Sequence, residues 1–397
     1  MQAKSGNLLV ISPNLKLFIK AQVISVGTFF ASVTVMIPQP YFPKLLLNVP
    51  MFYNNFLFLK NAIESCEQIK IRDNIEVNCP KFFSLPIRTM RKYNPILIAQ
   101  SVTHKLRKDD RGYGLVHAHR LDFGFAGAIL KDMSDTSLVV TCHGSDAYDF
   151  PFRNSYCNAI AKYTLRKVDH IIAVCKSDAE KLLSLGARYN RLSIIPNGFD
   201  DTLFHHIPQQ LARKELGLPF NKKILLSVGT LHEVKGHTYL IDAVHRLSRE
   251  GNDLIAVIVG SGPLEKKLKK RVEKLGLAQK VLLVGWEPHE KIPLWMNACD
   301  VFVLPSLNEG FPAVIPEAMA CGKPTIGTNV GGIPDVISNQ NIGILTNPKD
   351  PESLAQAILE SLDREWEYAN MRIWAQEYSL KNIAKQILQV YQQAIHC

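Results

Sequence analysis

The sequence lacks a Cys-x-x-Cys pair, an internal repeat, a low-complexity stretch and any strand followed by Gly-x-Gly-x-x-Gly with an acidic residue downstream. The first absence leaves eight scattered cysteines (Cys66, Cys79, Cys142, Cys157, Cys175, Cys299, Cys321 and Cys397) with neither zinc-ligand spacing nor a disulfide framework, which fits a reducing cytosol. The last disfavours a dinucleotide-dependent oxidoreductase. No acidic or histidine cluster has metal-ligand spacing, the His205–His206 pair included. Acidic residues are also scarce at one end. Residues 1–200 carry 25 Lys and Arg against 15 Asp and Glu, whereas residues 201–397 hold 21 of each, so the whole +10 lies in the first half. Such a bias suits an anionic surface or acceptor, or else a solvated basic face.

What is present describes a globular chain. Its 397 residues exceed one ordinary core and predict two domains. The apolar fraction of 47% and charged fraction of 21% are those of a soluble protein. Residues 21–37, AQVISVGTFFASVTVMI, carry no charge and approach the lower length for a membrane span, with Lys16 and Lys20 ahead of them as in a signal peptide. Interspersed Ser25, Thr28, Ser32 and Thr34 favour a buried helix followed by a strand ending at Pro38. With NLLVISP before it, this reads as a strand–helix–strand unit.

The same rhythm continues along the chain. GLVHAH, SLVVTCHGSD, HIIAVC and LSIIPNG read as short buried strands, and KSDAEKLLSLG as a helix capped by Ser177 and ended by Gly186. The stretch 83–110 predicts an amphipathic helix exposing Arg88, Arg91, Lys92, Lys105, Arg107 and Lys108, and 55–80 has no clear pattern. FDDTLFHHIPQQ is polar enough for a linker. KILLSVGT, LIAVIVGSGP, VLLVGW, VFVLPS, KPTIGT and GILTN are then strands with helices between them. Alternating short apolar strands and helices mean doubly wound α/β sheets. The expected domains are 1–200 and 201–375, each Rossmann-like and facing the other across a cleft, with a helix over 376–397 packing back on the first.

The most specific feature is LNEGFPAVIPEAMACGKP, in which Glu309 and Glu317 lie eight positions apart. The spacing puts Glu317 inside a helix starting near Pro312 and Glu309 in the loop before it. A helix start offers free N–H groups to an anion such as a diphosphate, and a carboxylate on either side suits hydroxyls. A nucleotide-sugar presents that sequence of groups, so a sugar transferase is the first expectation.

The C-terminal half resembles the retaining glycosyltransferases of family 4 (the group 1 glycosyltransferases), with the two-Rossmann-domain B fold. The resemblance rests on SVGTLHEVKGH, IVGSGP, VLLVGW and LWMNACDVFVLPSLNEGFPAVIPEAMACGKPTIGTNVGGIPDVI, preceded in the family's order by HAH, TCHGSD and IIPNGFD. It implies roles residue by residue. Glu317 would hold the nucleotide ribose and Glu309 would lie near the transferred sugar. The backbone of Gly310, Phe311, Pro312, Ala313 and Val314 would face the diphosphate and sugar. Lys235 would contact the diphosphate and His143 would reach toward the sugar. Gly260 and Gly262 would let a loop approach the nucleotide, and Trp286 would stand where the backbone meets the base. Apart from the resemblance, His117 and His119 are expected to shape the interdomain loop rather than do chemistry. Thr230 replaces the family's arginine after the glycine of SVG, and ISPNLKLFIKAQ lacks the glycine-rich first loop.

The implied activity is metal-independent, retaining transfer from a nucleotide-diphosphate sugar to a glycan or lipid-linked acceptor hydroxyl, with no cofactor. The alternatives are a sugar-nucleotide epimerase of the same architecture and a donor-binding protein with impaired catalysis. The expected setting is cytoplasmic, with peripheral contact to an anionic membrane and no nucleic-acid partner.

Overall fold

The computed structural model describes residues 6–15, 17–41, 71–84, 91–107 and 109–396. It forms two compact units, residues 1–196 with 383–397, and residues 197–382.

The first unit is built on a seven-stranded parallel sheet. Its strands are β1 (Asn7–Ile11), β2 (Ser32–Met36), β4 (Ile75–Asn78), β6 (Leu115–His119), β7 (Ser137–Cys142), β8 (His170–Ala173) and β9 (Leu192–Ile194), in the order β4-β2-β1-β6-β7-β8-β9. Strands β3 (Gln39–Tyr41) and β5 (Lys81–Phe83) pair separately. Alternation within each strand divides the apolar residues between two cores. Leu9, Ile11, Val116, Ala118, Leu138 and Val140 enter one core, and Leu8, Val10, Val33, Leu115 and Val139 the other. Both faces are therefore covered, which is why these strands read as unbroken apolar runs. The last helix, Leu380–Ile395, places Ile383, Ala384, Ile387, Val390, Tyr391 and Ala394 in the second core at helical spacing.

The uncharged run resolves into the helix Leu17–Gly27 and β2. The Ser25 hydroxyl donates to the Ala21 carbonyl and the Thr28 hydroxyl to the Ser25 carbonyl, so these polar groups are satisfied by their own helix and the turn that follows it. Among the described residues no helix is long and apolar enough to cross a membrane.

Several expectations need correction. The helix expected over 83–110 is shorter, Asn94–Leu106, because Pro95 occupies its first turn and Lys81–Phe83 form a strand. Arg88, Lys108 and residues 55–70 lie outside the described residues. Ser177 does not cap its helix. Cys175 occupies the cap position, and the Ser177 hydroxyl sits 3.3 Å from the Cys175 sulfur. Gly186, at φ 102°, does follow the helix end. The stretch read as a linker is anchored: Phe199 and Phe204 are buried, and Phe199 bridges to Ser379. Cys79 is disulfide-bonded, against the expectation of unpaired cysteines, while Cys142, Cys157, Cys175, Cys299 and Cys321 are free and buried.

The second unit has six parallel strands: β10 (Lys223–Val228), β11 (Leu254–Val259), β12 (Val281–Gly285), β13 (Val301–Leu304), β14 (Thr325–Thr328) and β15 (Gly343–Thr346). Their order is β12-β11-β10-β13-β14-β15, which is the 3-2-1-4-5-6 Rossmann arrangement. The chain reverses direction of winding between β10 and β13. In such sheets ligands gather at the carboxyl ends of the two strands flanking that reversal.

Candidate active site

The loops leaving β10 and β13 in the second unit bring two of the sequence-predicted residues together. Lys235 lies in a single 3-10 turn, Glu233–Lys235, after β10. Its Nζ donates to Glu309 Oε1 at 2.5 Å. The Ser306 hydroxyl donates to the same oxygen at 2.8 Å. The Lys235 side chain is 23% exposed and that of Glu309 10%, so the pair is partly desolvated and stronger than a surface ion pair.

The loops are held by backbone geometry. The Leu307 N–H donates to the Val234 carbonyl at 2.7 Å. Gly236 has φ 65°, and a Cβ there would stand 1.9 Å from the Pro305 carbonyl oxygen, so only glycine can follow Lys235. The Gly332 N–H, from the loop after β14, donates to the Gly310 carbonyl at 3.0 Å.

Glu317 sits in the helix Val314–Ala320, which is seven residues long and begins two positions later than Pro312. Pro312 still accepts from the Ile315 N–H at 2.9 Å. Glu317 is 7% exposed. Burial alone, with no neighbouring charge to offset it, pushes its carboxyl up to about 8. Phe311 is buried and packs on Tyr378 with ring centroids 5.6 Å apart, while Ala313 and Val314 are half-buried.

The remaining predicted residues of this unit line the neighbouring strand ends. Thr230 is exposed and its carbonyl accepts from the His232 N–H. Gly260 packs on the loop after β10, where a Cβ would meet the Gly229 carbonyl oxygen at 1.9 Å. The Leu231 N–H donates to Ser261 and the Leu264 N–H to Leu231, joining that loop to the one holding Gly262. Both glycines are thus demanded by loop-on-loop packing, a reason the sequence reading did not give. Trp286 follows β12 and is 72% exposed. His237, next to Gly236, is buried, and burial together with the Lys235 charge lowers it to about 4.

In the first unit, His143 follows β7. Its N–H donates to Asp146 Oδ1 at 2.8 Å, and Asp146 Oδ2 accepts from the Leu121 N–H at 2.9 Å. The fully buried Asp146 therefore ties the loop after β7 to the loop after β6, where Arg120 takes a left-handed φ of 80°. His143 Nε2 lies 3.0 Å from His119 Nδ1, and the rings stack. His117 bonds Tyr391 through Nδ1 at 2.6 Å and Thr141 through Nε2 at 2.7 Å. Burial keeps His117 and His119 well below the usual histidine range, hence neutral. Both are strand residues of the first sheet rather than loop residues.

Sequence reasoning missed Ser306, Gly332, Asp146 and the bracing role of His119. The signals were present in LPSLNEG, NVGG, HGSD and HAH; Ser306 lies only three positions from Glu309, whereas the bonds of Gly332, Asp146 and His119 cross 22 to 25 positions and have no local pattern. Among the described residues no group of three or more His, Cys, Asp or Glu is disposed to hold a metal ion.

The family profile described as Glycosyl transferases group 1 matches residues 208–378, and that described as Glycosyltransferase Family 4 matches residues 65–203. An uncharacterized glycosyltransferase of Methanocaldococcus jannaschii is 31% identical over 259 residues, which cover 65% of this chain and 68% of the relative. A Bacillus subtilis protein, named as a glycosyltransferase for teichuronic acid biosynthesis, is 26% identical over 373 residues, covering 92% and 88%. Among solved structures, a sucrose-phosphate synthase of Thermosynechococcus elongatus superimposes with a TM-score of 0.78 at 22% identity, over 98% of this chain and 99% of that one. Anabaena HepE, solved with UDP-glucose, does so with a TM-score of 0.72 at 21% identity, over 98% and 100%. With both halves matched in order and the paired glutamates in place, the chain belongs to the group 1, family 4 glycosyltransferases.

Proposed function

We propose that the protein moves a sugar from a nucleoside-diphosphate sugar to an acceptor hydroxyl, with retention at the anomeric carbon and without a metal. The observation that carries this is the disposition of Lys235, Glu309 and Glu317 around one strand reversal. Glu317 is a buried carboxyl whose ionisation no group among the described residues compensates. A ribose diol donating two hydrogen bonds would supply that compensation. Lys235 is already held at the site by Glu309, and a donor diphosphate would take it over as a second anionic partner. Glu309, relieved of part of its neutralisation, would then face the sugar.

HepE complexes with UDP and UDP-glucose show that a protein of the same fold binds such donors, and the relatives' names include inositol 3-phosphate and mannosylfructose-phosphate chemistry. A glycan or lipid-linked acceptor is proposed from the basic first half. The loop after β1 favours a second reading. It contains no glycine, and the Ser12 hydroxyl donates to the Asn14 carbonyl at 2.6 Å, closing the loop on itself. Donor binding with weak turnover would follow if that loop cannot admit an acceptor. A panel of nucleoside-diphosphate sugars, followed for hydrolysis, transfer and product anomer by proton NMR, separates the two. Retained configuration in the presence of a chelator supports the proposal. Inverted product, or activity abolished by chelation and restored by a divalent cation, overturns it.

A further inference from the structure

We infer a second, separate binding site in residues 197–382 for a phosphorylated small molecule, at the opposite end of the sheet from Lys235 and Glu309. A cavity of about 440 Å³ opens there, within the size range of small-molecule sites. It is lined at the amino ends of β10, β13 and β14 by Lys223, Asp300, Lys323 and Pro324, and from the far side by Ser361, Arg364, Trp366, Tyr368 and Arg372. Lys235 and Glu309 follow the carboxyl ends of β10 and β13. A six-residue strand such as β10 separates the two ends by roughly 20 Å.

Among the described residues, positive charge is in excess in the cavity. Four cations line it against one carboxylate, Asp300. Asp300 is already engaged, accepting from Arg213 Nη2 at 2.7 Å and from the Ile224 N–H at 2.6 Å. Lys323 is buried and its Nζ donates to the Cys299 carbonyl at 2.9 Å, and an ammonium carries further donors for a ligand. Arg364 pairs only loosely with Glu360, at 3.8 Å, and lies over the Trp366 ring. Among the described residues no carboxylate pairs with Lys223 or Arg372. The Arg372 guanidinium instead rests against Gly322.

A second, independent feature points the same way. Ser361 is 2% exposed, lines the cavity, and has a buried hydroxyl with no hydrogen-bond partner among the described residues. A buried hydroxyl left unmade costs stability unless a ligand completes it. Lysine and arginine donors converging with a hydroxyl are the recognition chemistry of a phosphate group. Tyr368, half exposed beside the cavity, offers a ring face to the remainder of the molecule.

The test is calorimetry of inorganic pyrophosphate at low ionic strength on the full chain carrying Lys235→Gln, so that the strand-reversal site does not dominate. Binding should persist in that background and weaken at least tenfold when Lys223→Gln and Arg372→Gln are added. Backbone amides of 361–372 should gain hydrogen-exchange protection with pyrophosphate, and lose that gain in the triple variant. Ser361→Ala, which removes only the hydroxyl, should weaken binding with thermal stability unchanged or raised. Binding abolished by Lys235→Gln alone, or untouched by the Lys223 and Arg372 changes, would refute a second site.

Discussion

Glu317, proposed to hold the donor ribose, works against the fold that buries it. Its carboxyl is raised to about 8 by burial, so the native state binds a proton that the unfolded chain, with a carboxylate near 4.3, releases. Stability from this group is complete below about pH 4 and is lost as pH rises through 8. The loss is on the order of a few kcal/mol at pH 9. Glu317→Gln keeps the shape and removes the ionisation, so it should melt at a higher temperature than the parent at pH 9, by a margin that shrinks as pH falls and closes below about pH 4. Equal melting curves across that range would contradict the buried, uncompensated carboxyl. The same variant should bind donor more weakly. Lys235→Ala should behave differently, lowering turnover more than donor affinity, because in the proposed reaction its charge would matter most as negative charge grows on the leaving diphosphate. Single-turnover rates alongside donor dissociation constants decide this, and a rate close to the parent's would show that another cation does the work.

At the scale of elements, the strands were legible and the loops were not. Parallel strands covered on both faces must be apolar throughout, so VFVL and LIAVIV announce themselves in the sequence. The pattern over 83–110 overruns the helix Asn94–Leu106 because charged residues continue it past both ends, while Pro95 fixes the true start. Ser177 was misplaced because capping depends on where the backbone turns, two residues earlier at Cys175. Glu309, Glu317 and Lys235 could be named from their motif, but the ion pair of Glu309 with Lys235 spans 74 positions and only the strand order brings it about. Gly236 is where loop geometry becomes testable. Gly236→Ala combines a left-handed backbone with a Cβ 1.9 Å from the Pro305 carbonyl. The left-handed conformation alone costs about 1–2 kcal/mol, and the loop must also move. We expect a lowered melting temperature and a disproportionate loss of activity, read by comparing turnover per folded molecule. A variant with the parent's turnover would mean that the position of Lys235 is not critical.

The whole molecule joins two doubly wound sheets of uneven charge. The excess of +10 belongs entirely to residues 1–200, the half that holds the histidine stack of His119 at the end of β6 and His143 just after β7. Each basic residue near an anionic surface contributes about 1 kcal/mol, screened by salt. Cosedimentation with anionic vesicles should therefore occur at low salt and reverse at high salt. Absence of binding at low salt would leave the basic half as a solvated face. The central claim, however, rests on the strand reversal of the second sheet, and calorimetric titration of nucleoside-diphosphate sugars against the parent and Glu317→Ala tests it most directly. The account predicts that the parent binds at least one donor and that the variant, folded by circular dichroism, binds it about 10- to 100-fold more weakly, as loss of a charged hydrogen-bonding partner worth roughly 1.5–3 kcal/mol requires. Equal affinity in the two proteins, or no donor bound by the parent, would contradict it.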